Sequence, residues 1–181
     1  PESVGQLLAM MDYRLEPVEG ILEGGRLVVR GPNIMRGYLF HGGGGERYAP
    51  STDHGPGWYD TGDIVTIDED GFVTIVGRLK RFAKIGGEMV SLLQTEELAR
   101  AASPNAAHAA TALPSSRKGE QIILLTENKE LDRSKLVSLV KQLGITEMAL
   151  PKHVLHCESI PLLGSGKVDY LALRELAQEL N

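Results

Sequence analysis

Cysteine is nearly missing from this chain. Cys157 stands alone among 181 residues, so no disulfide can form within it, which suits a reducing compartment. Long apolar runs are missing too: stretches such as 121–126 fall far short of the roughly 20 residues that span a bilayer. Neither a secretory leader nor a methionine opens the sequence, which begins in what reads as mid-domain, so the chain is expected to be a piece of a longer protein. The histidines and the single cysteine show no metal-ligand spacing. Repeats and low-complexity tracts are lacking apart from the glycines at 42–45. A net charge of −5 offers no cationic excess for a phosphate backbone, so nucleic acid is not an expected partner.

What is there is the composition of a folded domain, 42% hydrophobic and 24% charged, with enough chain to bury a core. Residues 1 to 77 carry short strand-like runs, 26–30, 63–67 and 72–76, separated by glycine-rich turns. Asp68-Glu69-Asp70-Gly71 supplies the small acidic and glycine residues of a hairpin turn, and 41–47 reads as a surface loop. Further on, helices and strands alternate. Ser91 with Gln94 forms a capping-box pattern at the head of a helix reaching Ala102. Strands are expected at 106–113 and 121–126, with a turn at 114–119. Asp132 caps a helix whose Leu136, Leu139, Val140 and Leu143 share one face. Pro151 ends that stretch, 153–157 is another strand, and Asp169 caps a terminal helix reaching Leu180. The fold class is α+β, with a β-rich part over 1–79 and a compact α+β part over 80–181.

Several chemistries fail on the residues. A phosphate-cradling P-loop fails at Lys167, because Pro161 stands where its first glycine belongs and Val168 replaces the metal-binding hydroxyl. A calcium loop at 68–71 fails because Thr66 and Gly77 occupy the first and last carboxylate positions. His41-Gly42-Gly43-Gly44 is similar to an esterase oxyanion loop, but the chain has no G-x-S-x-G elbow.

Three motifs remain, in this order: Tyr59-Asp60-Thr61-Gly62-Asp63, Gly77-Arg78-Leu79-Lys80, and Pro161-Leu162-Leu163-Gly164-Ser165-Gly166-Lys167. Together they resemble the closing part of adenylate-forming enzymes, the acyl-CoA synthetases, luciferases and adenylation domains of peptide synthetases. Ser3-Val4-Gly5 and Gly31-Pro32-Asn33-Ile34-Met35-Arg36-Gly37-Tyr38 extend the resemblance toward the start. It implies that ATP activates a carboxylic acid as an acyl-adenylate, whose acyl group then passes to a thiol. It also implies that 1–79 is the tail of a large domain and 80–181 a small mobile one. Asp63 is the candidate acceptor of hydrogen bonds from both ribose hydroxyls; taken alone, a turn aspartate serving its own backbone is the favoured reading. Arg78 is the second ribose-directed candidate, or an exposed strand-end arginine. Lys167, in a loop of small residues, is the candidate catalytic cation that neutralises the attacking carboxylate and the α-phosphate; alone it is a solvated lysine. The resemblance puts a hinge at Lys80. One orientation then brings Lys167 to the adenylation site, and the other presents Gly86, Gly87 and Glu88 to a pantetheine thiol.

The segment from Gly77 to Ser91 departs from the commoner pattern, which has an acidic residue after the hinge and an Ile-Lys pair before the glycine. It resembles instead the branch of acyl-[acyl-carrier-protein] synthetases, including the synthetase part of bifunctional 2-acylglycerophosphoethanolamine acyltransferases. That implies a fatty acid substrate, acyl carrier protein as partner, and lysophospholipid reacylation on the cytoplasmic side of a bacterial inner membrane. Arg81 and Lys84, extended by Arg117, Lys118 and Lys152, form the basic rim that would steer an acidic carrier; a solvated charged face is the plain alternative. Free coenzyme A is the alternative acceptor, and a binding module without chemistry the alternative function. No Thr/Ser/Gly-rich phosphate loop and no aromatic-Gly-x-Thr-Glu motif occurs, so the groups holding the ATP phosphates and magnesium are expected upstream. The piece alone is expected to fold without turning over.

Overall fold

The computed structural model describes residues 3–21, 23–42, 47–48, 53–115 and 119–181. Most of the glycine run, the tip of the turn expected at 114–119, and both Arg117 and Lys118 lie outside the described residues. Two compact units divide the chain, Pro1–Lys80 and Arg81–Asn181.

The first unit is β. Its strands are β1 (Gly5–Gln6), β2 (Asp12–Glu16), β3 (Gly25–Arg30), β4 (Tyr38–Leu39), β5 (Arg47–Tyr48), β6 (Trp58–Ile67) and β7 (Phe72–Arg78). An antiparallel sheet runs in the order β1-β7-β6-β3-β2, and β4 pairs with β5 apart from it. Inside that sheet, β3 has cover on both faces, so Leu27, Val28 and Val29 are buried in succession and the strand reads as a continuous apolar run. Leu27 and Val29 join Val65 and Val73 in the core of one face. The turn between β6 and β7 is built as the acidic-glycine run predicts: the Asp68 carboxylate accepts from the amides of Asp70 and Phe72, and Gly71 takes the left-handed φ of +81°. The start of β6 differs from expectation. It begins at Trp58, well before Asp63, because a bulge at 61–63 interrupts the alternation that a strand reading relies on.

An ionic cluster closes one side of this sheet. Arg26 pairs with Glu16 and, at 3.1 Å, with Asp60, while His54 Nε2 lies 2.7 Å from Glu16. Trp58, the only tryptophan, is buried beneath the guanidinium groups of Arg14 and Arg30, 4.5 and 4.9 Å from its ring centroid.

The second unit is α+β. Its elements are β8 (Phe82–Ile85), β9 (Glu88–Ser91), α1 (Leu92–Ala102), β10 (His108–Ser115), β11 (Gly119–Thr126), α2 (Arg133–Leu143), β12 (His153–His156) and α3 (Tyr170–Leu180). Along its whole length β11 pairs antiparallel with β10; its other edge meets β8 at Gly119 and carries β12 in parallel from Ile123 to Thr126. Because successive strand residues point to opposite faces, Ile122 and Leu124 enter a core with α1 and α2, built from Leu98, Ala99, Leu136 and Val140. Ile123 and Leu125 enter a second core on the other face, with Leu173 and Ala177 of α3, Cys157 and Ile160. Helices on both faces explain why β11 lacks polar alternation.

The helix ends follow their caps, with one exception. Asp132 accepts from the amide of Lys135, Gly144 closes α2 at φ +66°, and Asp169 accepts from the amides of Leu171 and Ala172. The capping box expected of Ser91 and Gln94 does not form: Ser91 is the buried last residue of β9 and makes no side-chain cap bond. The hairpin that delivers the chain into α1 has already fixed its entry. Burial, and secondarily the charge of Glu127, pushes the Cys157 thiol above its ordinary pKa. No helix among the described residues is long and apolar enough to cross a membrane.

The Arg26 hydrogen bond holds the Glu16 carboxyl below its ordinary value of 4.5, against the opposing effect of burial. A depressed folded-state pKa gives stability that is present above the unfolded value and lost as pH falls through the folded one. Trp58 fluorescence reports the first unit, so its unfolding midpoint should fall as the pH drops below about 4.5. Glu16→Gln should lower that midpoint at pH 7 and flatten the acid loss. Parallel pH profiles for the two proteins would place the acid sensitivity elsewhere.

Candidate functional site

Asp63 and Arg78 face each other as register partners across β6 and β7. The bulge makes this possible. Between the pairs Val28–Asp60 and Arg26–Ile64, β6 spends Thr61, Gly62 and Asp63 opposite Leu27 alone. Gly62 turns left-handed at φ +71°. The Thr61 hydroxyl donates to the Leu27 carbonyl at 2.8 Å and accepts from the Asp63 amide at 3.0 Å. The Asp60 carboxylate accepts from the Gly62 amide at 2.9 Å and from Arg26 at 3.1 Å.

Two aspartates therefore divide the labour that the sequence left open. Asp60 is the one that serves its own turn. Asp63, with its amide satisfied by Thr61, keeps its carboxylate for other partners. That side chain is 14% exposed, and Arg78 Nε lies 2.6 Å from its Oδ1. The approach is too far off the N–H axis to count as a hydrogen bond, so the buried Oδ1 has ion pairing without a well-aligned donor. Arg78 also donates to the Thr61 carbonyl at 3.3 Å, and its side chain is otherwise exposed. Asp60, Arg26 and Thr61 are site-building residues that sequence reasoning missed. The Asp60-Thr61-Gly62 triplet carried a turn signature, whereas nothing local pointed to Arg26.

Lys80 is exposed, in the single turn Leu79–Arg81. In the second unit Gly86 and Gly87 form the two-residue loop of the β8–β9 hairpin, with φ of +62° and +97°. Positive values at both central positions define a type I′ turn, where glycine is favoured. Glu88 follows, exposed, paired with Ile85. Lys84 is exposed on the same hairpin, its amide donating to Glu120 at 2.6 Å. Arg81 is otherwise. Its side chain is 16% exposed and engaged with Glu96 and the Ala110 carbonyl, so it does not belong to an outward basic rim.

Lys167 lies on a narrow loop closed at its base. Leu162 bridges Val168, the Leu163 amide donates to the Lys167 carbonyl at 2.7 Å, and the Gly166 amide donates to the Leu163 carbonyl at 2.8 Å. Gly166 turns at φ +79°, and Lys167 is exposed. The loop is rooted through Val168 and Ile160 in the core beneath α3, whereas the glycine turn is rooted through Ala83, Ile85 and Val90 in the core beneath α1 and α2. The Lys167 loop thus leans on the core of one face of the sheet, whereas the glycine turn is the tip of a hairpin of that sheet, whose inward side chains join the other core. Among the described residues no three His, Cys, Asp or Glu side chains form a metal-sized cluster, so the magnesium that the resemblance implies finds no ligand set in them.

No family model matches the chain. Individual proteins do. A trans-cinnamate:CoA ligase of Petunia hybrida is 34% identical over 158 residues, 85% of this chain and 26% of that protein. A medium-chain-fatty-acid–CoA ligase of Ectopseudomonas oleovorans is 32% identical over 155 residues, 83% of this chain and 27% of that protein. Among solved structures, ATP-bound MatB from Rhodopseudomonas palustris matches with a TM-score of 0.73 at 26% identity, covering 97% of this chain and 36% of its own. The chain belongs to the adenylate-forming superfamily of acyl- and aryl-CoA ligases and has the fold of their C-terminal part. It spans between 26% and 36% of the lengths of these relatives.

In Gly62→Ala the new Cβ would meet no atom within 4 Å, so the cost is the left-handed backbone alone, about 1–2 kcal/mol. Urea unfolding followed by Trp58 fluorescence should show that loss. An unchanged midpoint would mean the bulge relaxes without Gly62.

Proposed function

We propose that this chain is the closing part of an AMP-forming acid–thiol ligase that takes ATP and a fatty acid and delivers the acyl group to a phosphopantetheine thiol. The observation that carries the reading is that one small unit holds two separate exposed loops, the Lys167 loop packed on the core beneath α3 and the glycine turn at the tip of the β8–β9 hairpin. A unit built so offers one loop to each half-reaction, and a change of backbone dihedrals at Lys80 exchanges them.

In the first half-reaction a carboxylate oxygen attacks the α-phosphorus of ATP, the bond to the bridging oxygen breaks, and pyrophosphate leaves. Negative charge gathers between the incoming carboxylate and the phosphate oxygens. The Lys167 ammonium, a compact charge on an exposed loop, stabilises it. Asp63 accepts from the two ribose hydroxyls, and Arg78 orients its carboxylate and adds donors of its own. In the second half-reaction the thiol sulfur attacks the acyl carbon, loses its proton, and AMP departs. Gly86 and Gly87, lacking side chains, let the pantetheine arm run close to the backbone beside Glu88.

Acyl carrier protein is the proposed acceptor, in reacylation of lysophospholipid at the cytoplasmic side of an inner membrane. Coenzyme A is the second reading. It is favoured by the inward turn of Arg81, which leaves the docking role to Lys84 and Lys152, and by relatives that are CoA ligases by name.

In the full-length protein, Lys167→Ala should slow ATP–pyrophosphate exchange by roughly 10²–10³-fold, the scale for one preorganised charge-stabilising donor. Transfer from preformed acyl-adenylate to thiol should change little. Lys80→Pro, which locks φ, should do the reverse. Equal losses in both half-reactions for Lys167→Ala would overturn its role.

The same assay identifies the acceptor. Lys84→Glu should raise KM for carrier protein and flatten its salt dependence. Faster turnover with coenzyme A, and indifference to Lys84→Glu, would favour the second reading.

A further inference from the structure

Arg81 opens the second unit, directly after Lys80, yet its side chain turns inward. Its Nη2 lies 2.5 Å from Glu96 Oε1 on α1, and its Nη1 donates to the Ala110 carbonyl of β10 at 2.8 Å. The guanidinium carbon sits 3.8 Å above the ring of Tyr170, the first residue of α3. Glu96 Oε1 also accepts from the Ala110 amide at 2.8 Å. One planar fork thereby touches a helix, a strand and the start of a second helix.

A buried pair of this kind gains little stability over apolar side chains of the same volume, so its value is geometric. The geometry leads to Lys167. Tyr170 follows it by three positions, with Asp169 between them as the cap of α3. The Asp169 amide donates to the Pro161 carbonyl at 2.9 Å, and the Leu162–Val168 bridge closes the loop just above. Where α3 begins therefore sets where the Lys167 loop stands. Lys167 is exposed, the loop's hydrogen bonds run between its own residues, and Val168 and Ile160 hold its base in the core beneath α3, so its base is where its direction is fixed.

We propose that Arg81 is a positioning residue for Lys167: by pairing with Glu96 and stacking on Tyr170 it ties the root of the Lys167 loop to the chain segment adjoining Lys80. The role rests on the reading of Lys167 and Lys80 given above. A rotation begun at Lys80 reaches the lysine only if the segment between behaves as one body; the two cores bind it together, and Arg81 adds the directional tie from its start to α3. Lysine would not substitute, since a point charge cannot fork between Glu96 and the Ala110 carbonyl while lying flat on a ring.

The test is a mutant cycle in the full-length protein, with Arg81→Gln, Lys167→Ala and their combination. Arg81→Gln should slow ATP–pyrophosphate exchange roughly ten- to a hundred-fold, the scale of an ångström-sized misplacement. The loss should fall in kcat, with KM for ATP little changed and transfer from preformed acyl-adenylate preserved. The double variant should be no slower than Lys167→Ala alone, because the two residues act through one interaction. Tyr170→Leu should show the same non-additivity with a smaller loss. It serves where Arg81→Gln fails to fold, since Tyr170 is 41% exposed. Losses that multiply in the double variants, or that fall equally on both half-reactions, would overturn the positioning role while leaving Lys167 in place. A Lys167→Ala enzyme with normal exchange would overturn the reading of Lys167 and this inference with it.

Discussion

Glu96 is buried on α1, and its Oε1 is shared between the Arg81 guanidinium and the amide of Ala110. A carboxylate out of water stands only if it is paired and hydrogen-bonded. Removing one member of such a pair typically costs about 3–5 kcal/mol, most of it for the charge left behind. The second unit is arranged around that requirement. α1 must lie where Glu96 reaches β10, the chain must enter so that Arg81 reaches both, and α3 must begin where Tyr170 covers the guanidinium. Hydrophobic burial holds the two cores together without dictating such detail, because apolar contacts have no direction.

The first unit meets a parallel requirement at its bulge. Strand ladders leave no place for extra residues, so Gly62 and Asp63 need their amides served by side chains. Asp60 and Thr61 do this, Arg26 holds Asp60, and Glu16 holds Arg26. A chain of polar contacts thus runs from β2 to the residue opposite Arg78. The Asp63 amide is served by Thr61, and its carboxylate is left to pair with Arg78.

Both units hold glycine turns with exposed charged residues beside them: Gly62 near Arg78 in the first, Gly86 and Gly87 beside Glu88 and Gly166 beside Lys167 in the second. In the second unit the Lys167 loop packs on the core of one face of the sheet, and the glycine turn ends a hairpin of the sheet itself. The membership of the chain in the adenylate-forming superfamily gives that arrangement its context.

Much of this was legible in the residues. The strands at 26–30 and 72–76, the caps at Asp132 and Asp169, the acidic-glycine turn at 68–71 and the three motifs rest on local chemistry: helical spacing, side chains that reach their own backbone, and glycines free to turn left-handed. The extent of β6, the failure of Ser91 to cap α1, the division of work between Asp60 and Asp63, and the inward turn of Arg81 were not legible. Each depends on a partner distant in sequence: Leu27 opposite the bulge, Val90 and Ser91 held by β8, Arg26 reaching from β3 to Asp60 on β6, and Glu96 with Tyr170 around one guanidinium. Local patterns determine what a segment prefers. Whether a charge faces water or another charge is decided only when the chain has brought the second one near.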